Sequence, residues 1–197
     1  MRFILASSSP RRRQIISAMI DDFEIIKPAI DETRQPDEAP RAYVERLSIE
    51  KAQAVARQVQ GADVAILAAD TAVILAADTI GITEAGDILG KPADAEMARA
   101  TLRRLRDRSH QVCTAFTILY GDQRHTETVC TTVHMRDYSD EEIDAYIATG
   151  DPFDKAGGYA IQHDGFHPVR EIDGSRSNVI GLPADEVRAA LHALGIL

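Results

Sequence analysis

Cysteine is scarce: Cys113 and Cys130 are the two in 197 residues, too few for the disulfide framework of a small secreted domain. Neither belongs to a CxxC or a Cys/His cluster, so no zinc signature is present. Both lie in strand-like apolar runs, which predicts two reduced thiols buried as small apolar side chains. Basic residues are outnumbered, 22 Lys and Arg against 31 Asp and Glu, for a net charge of −9. That balance argues against nucleic-acid binding, which draws on a basic face that releases counterions. It leaves room for a small anion in a local basic pocket. Long apolar runs are missing as well. None approaches the ~18 residues of a membrane span, and the apolar stretch ending at Ser7 is too short for a signal peptide. The expectation is a soluble cytoplasmic protein away from membranes. What is present, 45% hydrophobic and 27% charged residues, suffices for a real core. The length fits one compact domain or two small lobes sharing a core.

Phe3 to Ala6 predicts a buried strand, and Ser9-Pro10 supplies an N-cap and first helical residue for a helix over 11–20. A second strand falls at 23–27 and a proline-bearing loop at 28–40. A helix over 41–60 carries Val44, Leu47, Ala54, Val55 and Val59 near one face and ends at Gly61. Residues 64–75 are apolar and strand-like, and a turn with a short strand follows at 86–90. A helix over 94–105 precedes strands over 111–120 and 126–136, joined by the polar turn Gly121-Asp122-Gln123. Ser139 and Glu142 form a capping-box pattern for a helix that stops at Gly150. A strand or hairpin passes through 169–172, and a last helix starts at Pro183 and closes at Gly195. Strict βαβ alternation holds only near the start, so the fold class predicted is α/β with a mixed sheet.

Ala65-Ile66-Leu67-Ala68-Ala69-Asp70-Thr71 is nearly repeated as Val73-Ile74-Leu75-Ala76-Ala77-Asp78-Thr79, a local duplication with a period of eight. The two aspartates would lie ~27 Å apart on one extended strand, so a given site uses one of them.

Several groups could carry chemistry. Ser7-Ser8-Ser9-Pro10-Arg11-Arg12-Arg13 joins a strand to a helix N-terminus, where free N–H groups and the helix dipole favour an anion. Without one, three arginines in a first turn oppose that dipole. The GxxxxGK[ST] spacing of a P-loop is absent. Lys51 falls on the apolar face of its helix and either snorkels to water or points into a polar site. An aspartate within Leu-Ala-Ala-Asp-Thr is costly to bury unless paired, metal-bound or catalytic. With Asp31-Glu32, such carboxylates beside basic groups suit Mg²⁺ and a polyphosphate. Gly90-Lys91-Pro92 and Asp154-Lys155-Ala156-Gly157-Gly158 each put a lysine at a glycine turn that a ligand can approach closely.

Taken in order, these pieces resemble the Maf family of nucleoside triphosphate pyrophosphatases. The matching elements are Ser7 to Arg12, Asp31-Glu32, Glu50-Lys51-Ala52, an Ala-Asp-Thr element and Ile88-Leu89-Gly90-Lys91-Pro92. They continue through His110 with Thr114, Asp154-Lys155-Ala156-Gly157, and Asn178 to Pro183. The resemblance covers nearly the whole chain and implies a single Maf/ITPase-like domain over 1–197. That fold is an elongated mixed sheet flanked by helices, with two lobes and a central cleft. It also implies a cytoplasmic homodimer that hydrolyses the bond between the α- and β-phosphates, with Mg²⁺ or Mn²⁺. On that reading Ser7 and Arg12 hold phosphates, while Lys51, Lys91 and Lys155 neutralise transition-state charge. Glu32 and the buried aspartate hold metal or water, the aspartate serving as proton acceptor.

Three positions separate the family's branches. Arg11, Thr71 and Gln162 match the branch acting on dTTP and UTP; the branch acting on 7-methylguanosine triphosphate has tryptophan, glutamine and glutamate there. A methylated guanine is cationic and suits aromatic stacking and a carboxylate, whereas an amide complements a neutral pyrimidine edge. The alternatives are that 7-methylguanosine activity, or a non-catalytic nucleotide-binding regulator of cell division. The chain departs from the family pattern at Arg106-Asp107, where Ser-Gly is usual, and at His163, where glycine is usual. Lys51 to Asp70 spans 19 residues and Asp78 to Lys91 spans 13, both near the family spacing. The expectation is that Asp70 is the proton acceptor and that residues 76–85 lengthen a surface hairpin, with Asp78 as the alternative.

Overall fold

Phe3–Leu5 (β1) are fully apolar and buried, and Ser9 then caps the helix Pro10–Ser17 (α1) by accepting from the Arg12 amide. The computed structural model describes residues 1–60 and 72–197. The chain continues through Glu24–Ile25 (β2), the long helix Pro40–Gln60 (α2), Val73–Thr83 (β3), Ile88–Leu89 (β4) and Ala95–Leu105 (α3). Then come Ser109–Tyr120 (β5), Gln123–Met135 (β6), Asp140–Ala148 (α4), two short 3-10 turns, Val169–Asp173 (β7), Arg176–Ile180 (α5) and Ala184–Ala193 (α6). No helix among the described residues is long and apolar enough to cross a membrane.

The strands form a seven-stranded sheet in the order β2-β1-β3-β5-β6-β7, with β4 pairing off β3. β1 is parallel to β2 and β3, while β4 and β7 run antiparallel to their neighbours. This is the mixed α/β sheet expected from the sequence. The residues divide into two compact units: one of Met1–Asp78, Thr114–Val129 and Gly181–Leu197, the other of Thr79–Cys113 and Cys130–Ile180.

In the first unit β1 and β3 are buried on both faces, so they read as continuous apolar runs rather than as alternating ones. Phe3, Leu5, Val73, Leu75 and Ala77 pack with Ile16 of α1 and with Val187 and Leu191 of α6. The alternate residues Ile4, Ala6, Ile74 and Ala76 pack with Ala52 and Val55 of α2. In the second unit Leu102 and Leu105 of α3, Ile143 and Tyr146 of α4, Val112, Val133, Met135 and Tyr159 form a separate core.

Three details depart from the sequence reading or sharpen it. Residues 76–85 do not lengthen a surface hairpin. Ala76 and Ala77 are core residues, and β3 runs on to Thr83 before its turn, because this copy of the repeat supplies apolar side chains to both faces of a doubly covered strand. The first copy, including Asp70 and Thr71, lies outside the described residues. Asp107 takes a left-handed conformation, φ 52°, which explains how an aspartate stands where the family pattern has glycine: Asp tolerates that region better than most residues.

The cysteines are not reduced thiols. Cys113 and Cys130 form a disulfide across β5 and β6, with Cα atoms 4.1 Å apart. Counting equal numbers of residues outward from the turn at Gly121-Asp122 reaches both cysteines, as it also reaches Thr117 and Thr126, whose hydroxyls hydrogen-bond at 3.0 Å. The hairpin therefore delivers the sulfurs to each other. Replacing both cysteines by alanine opens a loop of sequence separation 17. It is expected to lower stability by about 2–4 kcal/mol, read from urea unfolding under non-reducing conditions.

Candidate active site

Three elements of the first unit meet at Lys51. On α2, Val44, Leu47, Ser48, Lys51, Ala52 and Val55 are all buried, the i, i+3, i+4 stripe of a core-facing helix. Lys51 does not snorkel: its side chain is 8% exposed, and Nζ lies 2.6 Å from Asp78 Oδ1 and 3.1 Å from Glu32 Oε1. Asp78 is there by strand parity. Ile74 and Ala76 face α2, and two residues further along β3 the same face presents a carboxylate instead of a methyl group.

Glu32 arrives on the loop before α2, and α2 itself fastens that loop. Tyr43 donates its hydroxyl to the Glu32 carbonyl at 2.7 Å. Arg46 donates to the Thr33 carbonyl at 3.2 Å, to both Glu38 carboxylate oxygens at 2.7 and 2.9 Å, and to Glu50 at 3.2 Å. Burial pushes the Tyr43 hydroxyl above its ordinary pKa, and the charges of Asp78 and Glu32 add to that. The Asp31 carboxylate acts locally, accepting from the Thr33 amide at 2.9 Å. Sequence reasoning missed Tyr43 and Arg46. The available signal was their place on α2, eight and five residues before Lys51.

Arg12 forms the third wall. Its Nε donates to the Gly181 carbonyl at 2.8 Å and its Nη1 lies 3.4 Å from Ser7 Oγ, which also accepts from the Ser9 amide at 3.2 Å. Gly181 sits at φ 134°, a conformation that glycine allows, and turns its carbonyl toward Arg12. Burial draws the Arg12 guanidinium below its ordinary pKa; the negative charges of Asp78 and Glu32 oppose this and Arg11 adds to it. Ser7, Arg12, Glu32, Lys51 and Asp78 thus form one cluster of alternating charge, with Arg11 half-buried on α1 beside Arg12.

The remaining expected residues belong to the second unit. Gly157 donates its amide to the Gly90 carbonyl at 3.0 Å, which ties the Lys155 segment to the Lys91 segment. Gly158, at φ 69°, lies so close to Pro92 that a Cβ would meet its Cγ at 3.0 Å. Lys91 is exposed. Lys155 is held by the Asp151 carbonyl at 2.6 Å and by the carboxylates of Asp151 and Asp154 at 2.8 and 2.5 Å. Gln162 is exposed. His163 stabilises the next turn, its Nδ1 accepting from the amides of Gly165 and Phe166 at 3.0 and 2.9 Å. Asn178 is a clasp of the fold, donating Nδ2 to the Val112 carbonyl and to Thr131 Oγ1, both at 2.9 Å.

No group of three or more His, Cys, Asp or Glu side chains able to hold a metal occurs among the described residues. Glu32 and Asp78 are nevertheless a fitting donor pair for Mg²⁺ or Mn²⁺. Mg²⁺ is commonly held by one or two carboxylates, with water and substrate phosphates completing the octahedron, rather than by an all-protein cage.

The sequence profile described as Maf-like protein matches residues 2–194. The chain belongs to the Maf family. Curated family relatives named dTTP/UTP pyrophosphatase include that of Myxococcus xanthus (strain DK1622), 45% identical over 193 residues and covering 98% of this chain and 92% of the relative. That of Geotalea uraniireducens (strain Rf4) is 42% identical, covering 98% and 95%. That of Syntrophus aciditrophicus (strain SB) is 40% identical, covering 100% and 91%. Among solved structures, the Staphylococcus aureus Ham1 protein aligns with 71% of this Maf chain and 73% of its own at 16% identity, with a TM-score of 0.46.

Proposed function

We propose that this Maf family chain is a nucleoside triphosphate pyrophosphatase that hydrolyses dTTP and UTP to the nucleoside monophosphate and pyrophosphate. The observation that carries the reading is Lys51, a buried ammonium between the carboxylates of Asp78 and Glu32 in the cluster that Arg12 completes. The names and near full-length identity of the curated relatives support the same activity.

In the proposed chemistry Asp78 accepts a proton from water as the water oxygen bonds to the α-phosphorus. The bond from that phosphorus to the α–β bridging oxygen breaks, and pyrophosphate leaves with the electron pair. Arg12 and Lys51 meet the charge that builds on the phosphate oxygens. Lys91 and Lys155 are assigned the same role. A divalent ion held by Glu32 and Asp78 would supply Lewis-acid polarisation of the phosphate. Arg11 and Gln162 are assigned to base selection, with Thr79 following Asp78 where Thr71 follows Asp70. A homodimeric state and a cytoplasmic setting belong to the same proposal.

Pyrophosphate release from a nucleotide panel tests it. dTTP and UTP are expected to be cleaved with kcat/KM well above that for 7-methylguanosine triphosphate. Equal values for the two classes would remove the pyrimidine assignment, and nucleotide binding without pyrophosphate release would make the chain a regulator. Gln162→Ala is expected to cost about 1–3 kcal/mol of discrimination between the classes, the cost of leaving a base edge unpaired.

A further inference from the structure

His110 is matched by the family resemblance, yet the chemistry above gives it no role. It stands on β5, is 2% exposed, and its Nε2 lies 2.7 Å from the Tyr159 hydroxyl. The rings meet edge to face, with centroids 5.5 Å apart and planes at 89°. His110 Nδ1 is buried and has no hydrogen-bond partner among the described residues. Burial pushes the imidazole down to about 4, helped by the charge of His134, so the ring is neutral at ordinary pH. Burial likewise raises the Tyr159 hydroxyl above its usual value, which keeps its proton on. The pair therefore shares one neutral hydrogen bond inside an apolar core, where neither partner can turn to water for a replacement.

Tyr159 is well placed to hold something. Immediately before it the backbone passes through two left-handed glycines, Gly157 at φ 78° and Gly158 at φ 69°, a stretch with little conformational preference of its own. Lys155 stands four residues before it and Gln162 three residues after it. Tyr146 helps on the same segment: its hydroxyl accepts from the Ala160 amide at 3.1 Å and donates to Asp151 at 3.0 Å, the acid that grips Lys155. Tyr159 thus anchors a glycine-loosened segment to the core, and His110 satisfies the polar end of the anchor.

We infer that His110 is a positioning residue for base selection: through Tyr159 it fixes the backbone between Lys155 and Gln162, and so the place where the Gln162 amide meets the base. This rests on the pyrimidine-triphosphate reading above.

The test measures kcat/KM for UTP and for 7-methylguanosine triphosphate, the two classes that the pyrimidine reading separates, in the parent chain, His110→Ala, Tyr159→Phe and the double variant. Tyr159→Phe removes one hydroxyl and keeps the ring, so it carries the test should His110→Ala fold poorly. Each single variant is expected to narrow the preference for UTP over 7-methylguanosine triphosphate by about tenfold, mostly through KM for UTP. The double variant should narrow it no further, since both changes break one hydrogen bond. His110→Gln, whose amide can reach the same hydroxyl, should restore most of the preference. Variants that lose thermal stability and activity equally on both nucleotides, with the preference unchanged, would show a purely structural role and overturn the inference. A parent chain that releases no pyrophosphate from dTTP or UTP would instead overturn the functional reading beneath it.

Discussion

Asp78→Asn is expected to lower the rate of pyrophosphate release by about 10²–10⁴-fold, the usual contribution of a positioned general base, while the protein stays folded. The substitution preserves shape and removes the basic oxygen. It does not strand Lys51, whose ammonium keeps Glu32 at 3.1 Å, so the large penalty for an unpaired buried charge does not arise. The loss should therefore fall chiefly on kcat, with the urea midpoint little changed. Asp70→Asn serves as the matched control and is expected to remain active. Turnover surviving in the Asp78 variant and lost in the Asp70 variant would transfer the proton-acceptor role, and with it the neighbouring specificity threonine, to the first copy of the repeat.

Lys51→Met is expected to damage both activity and stability. Methionine has nearly the reach of lysine and no charge, so the cavity stays filled while the ammonium between two carboxylates disappears. Asp78 is 14% exposed at its side chain, and breaking such a pair by removing one member costs about 3–5 kcal/mol. Losing a preorganised cation at the phosphate should lower kcat by a further factor of about 10²–10³. Urea unfolding read beside steady-state kinetics separates the two effects. A variant as stable as the parent would show that the Lys51–Asp78 pair is solvated rather than structural, and an unchanged kcat would remove Lys51 from the chemistry.

Much of this architecture was legible in the sequence because its signals are local. Ser9-Pro10 caps α1 and the Ser139–Glu142 capping box opens α4, as the residue types dictate. The apolar stripe marked Lys51 but left open whether it snorkels to water or points inward, and only the carboxylates of Asp78 and Glu32 around it decide for burial. The repeat was different. Both copies present the same alternation of apolar side chains and an aspartate, so local pattern cannot choose between them. What the fold adds is the pairing with β1, Phe3 opposite Val73 and Leu5 opposite Leu75, which seats the second copy in the sheet. The disulfide was hidden for a related reason. Two isolated cysteines in apolar strands look like core residues until the hairpin count sets them opposite each other. The fastening of the Glu32 loop by Tyr43 and Arg46 joins residues 11 and 13 positions from their partners across a turn, a pairing that no spacing rule announces.

The alternation along β3 has a consequence for how this stretch tolerates change in length. Side chains on a strand return to the same face every second residue, and the repeat has a period of eight, an even number. Gaining or losing one whole period therefore carries an aspartate back to the face that looks onto α2, whichever copy fills the strand. An odd-numbered slip would turn that carboxylate into the apolar layer formed with Leu5 and Val187 and would turn the layer's own residues toward Lys51. Length in this segment is thus quantised by facing: the chain can lengthen by a period and keep its acid beside its lysine, whereas a single inserted residue would separate them.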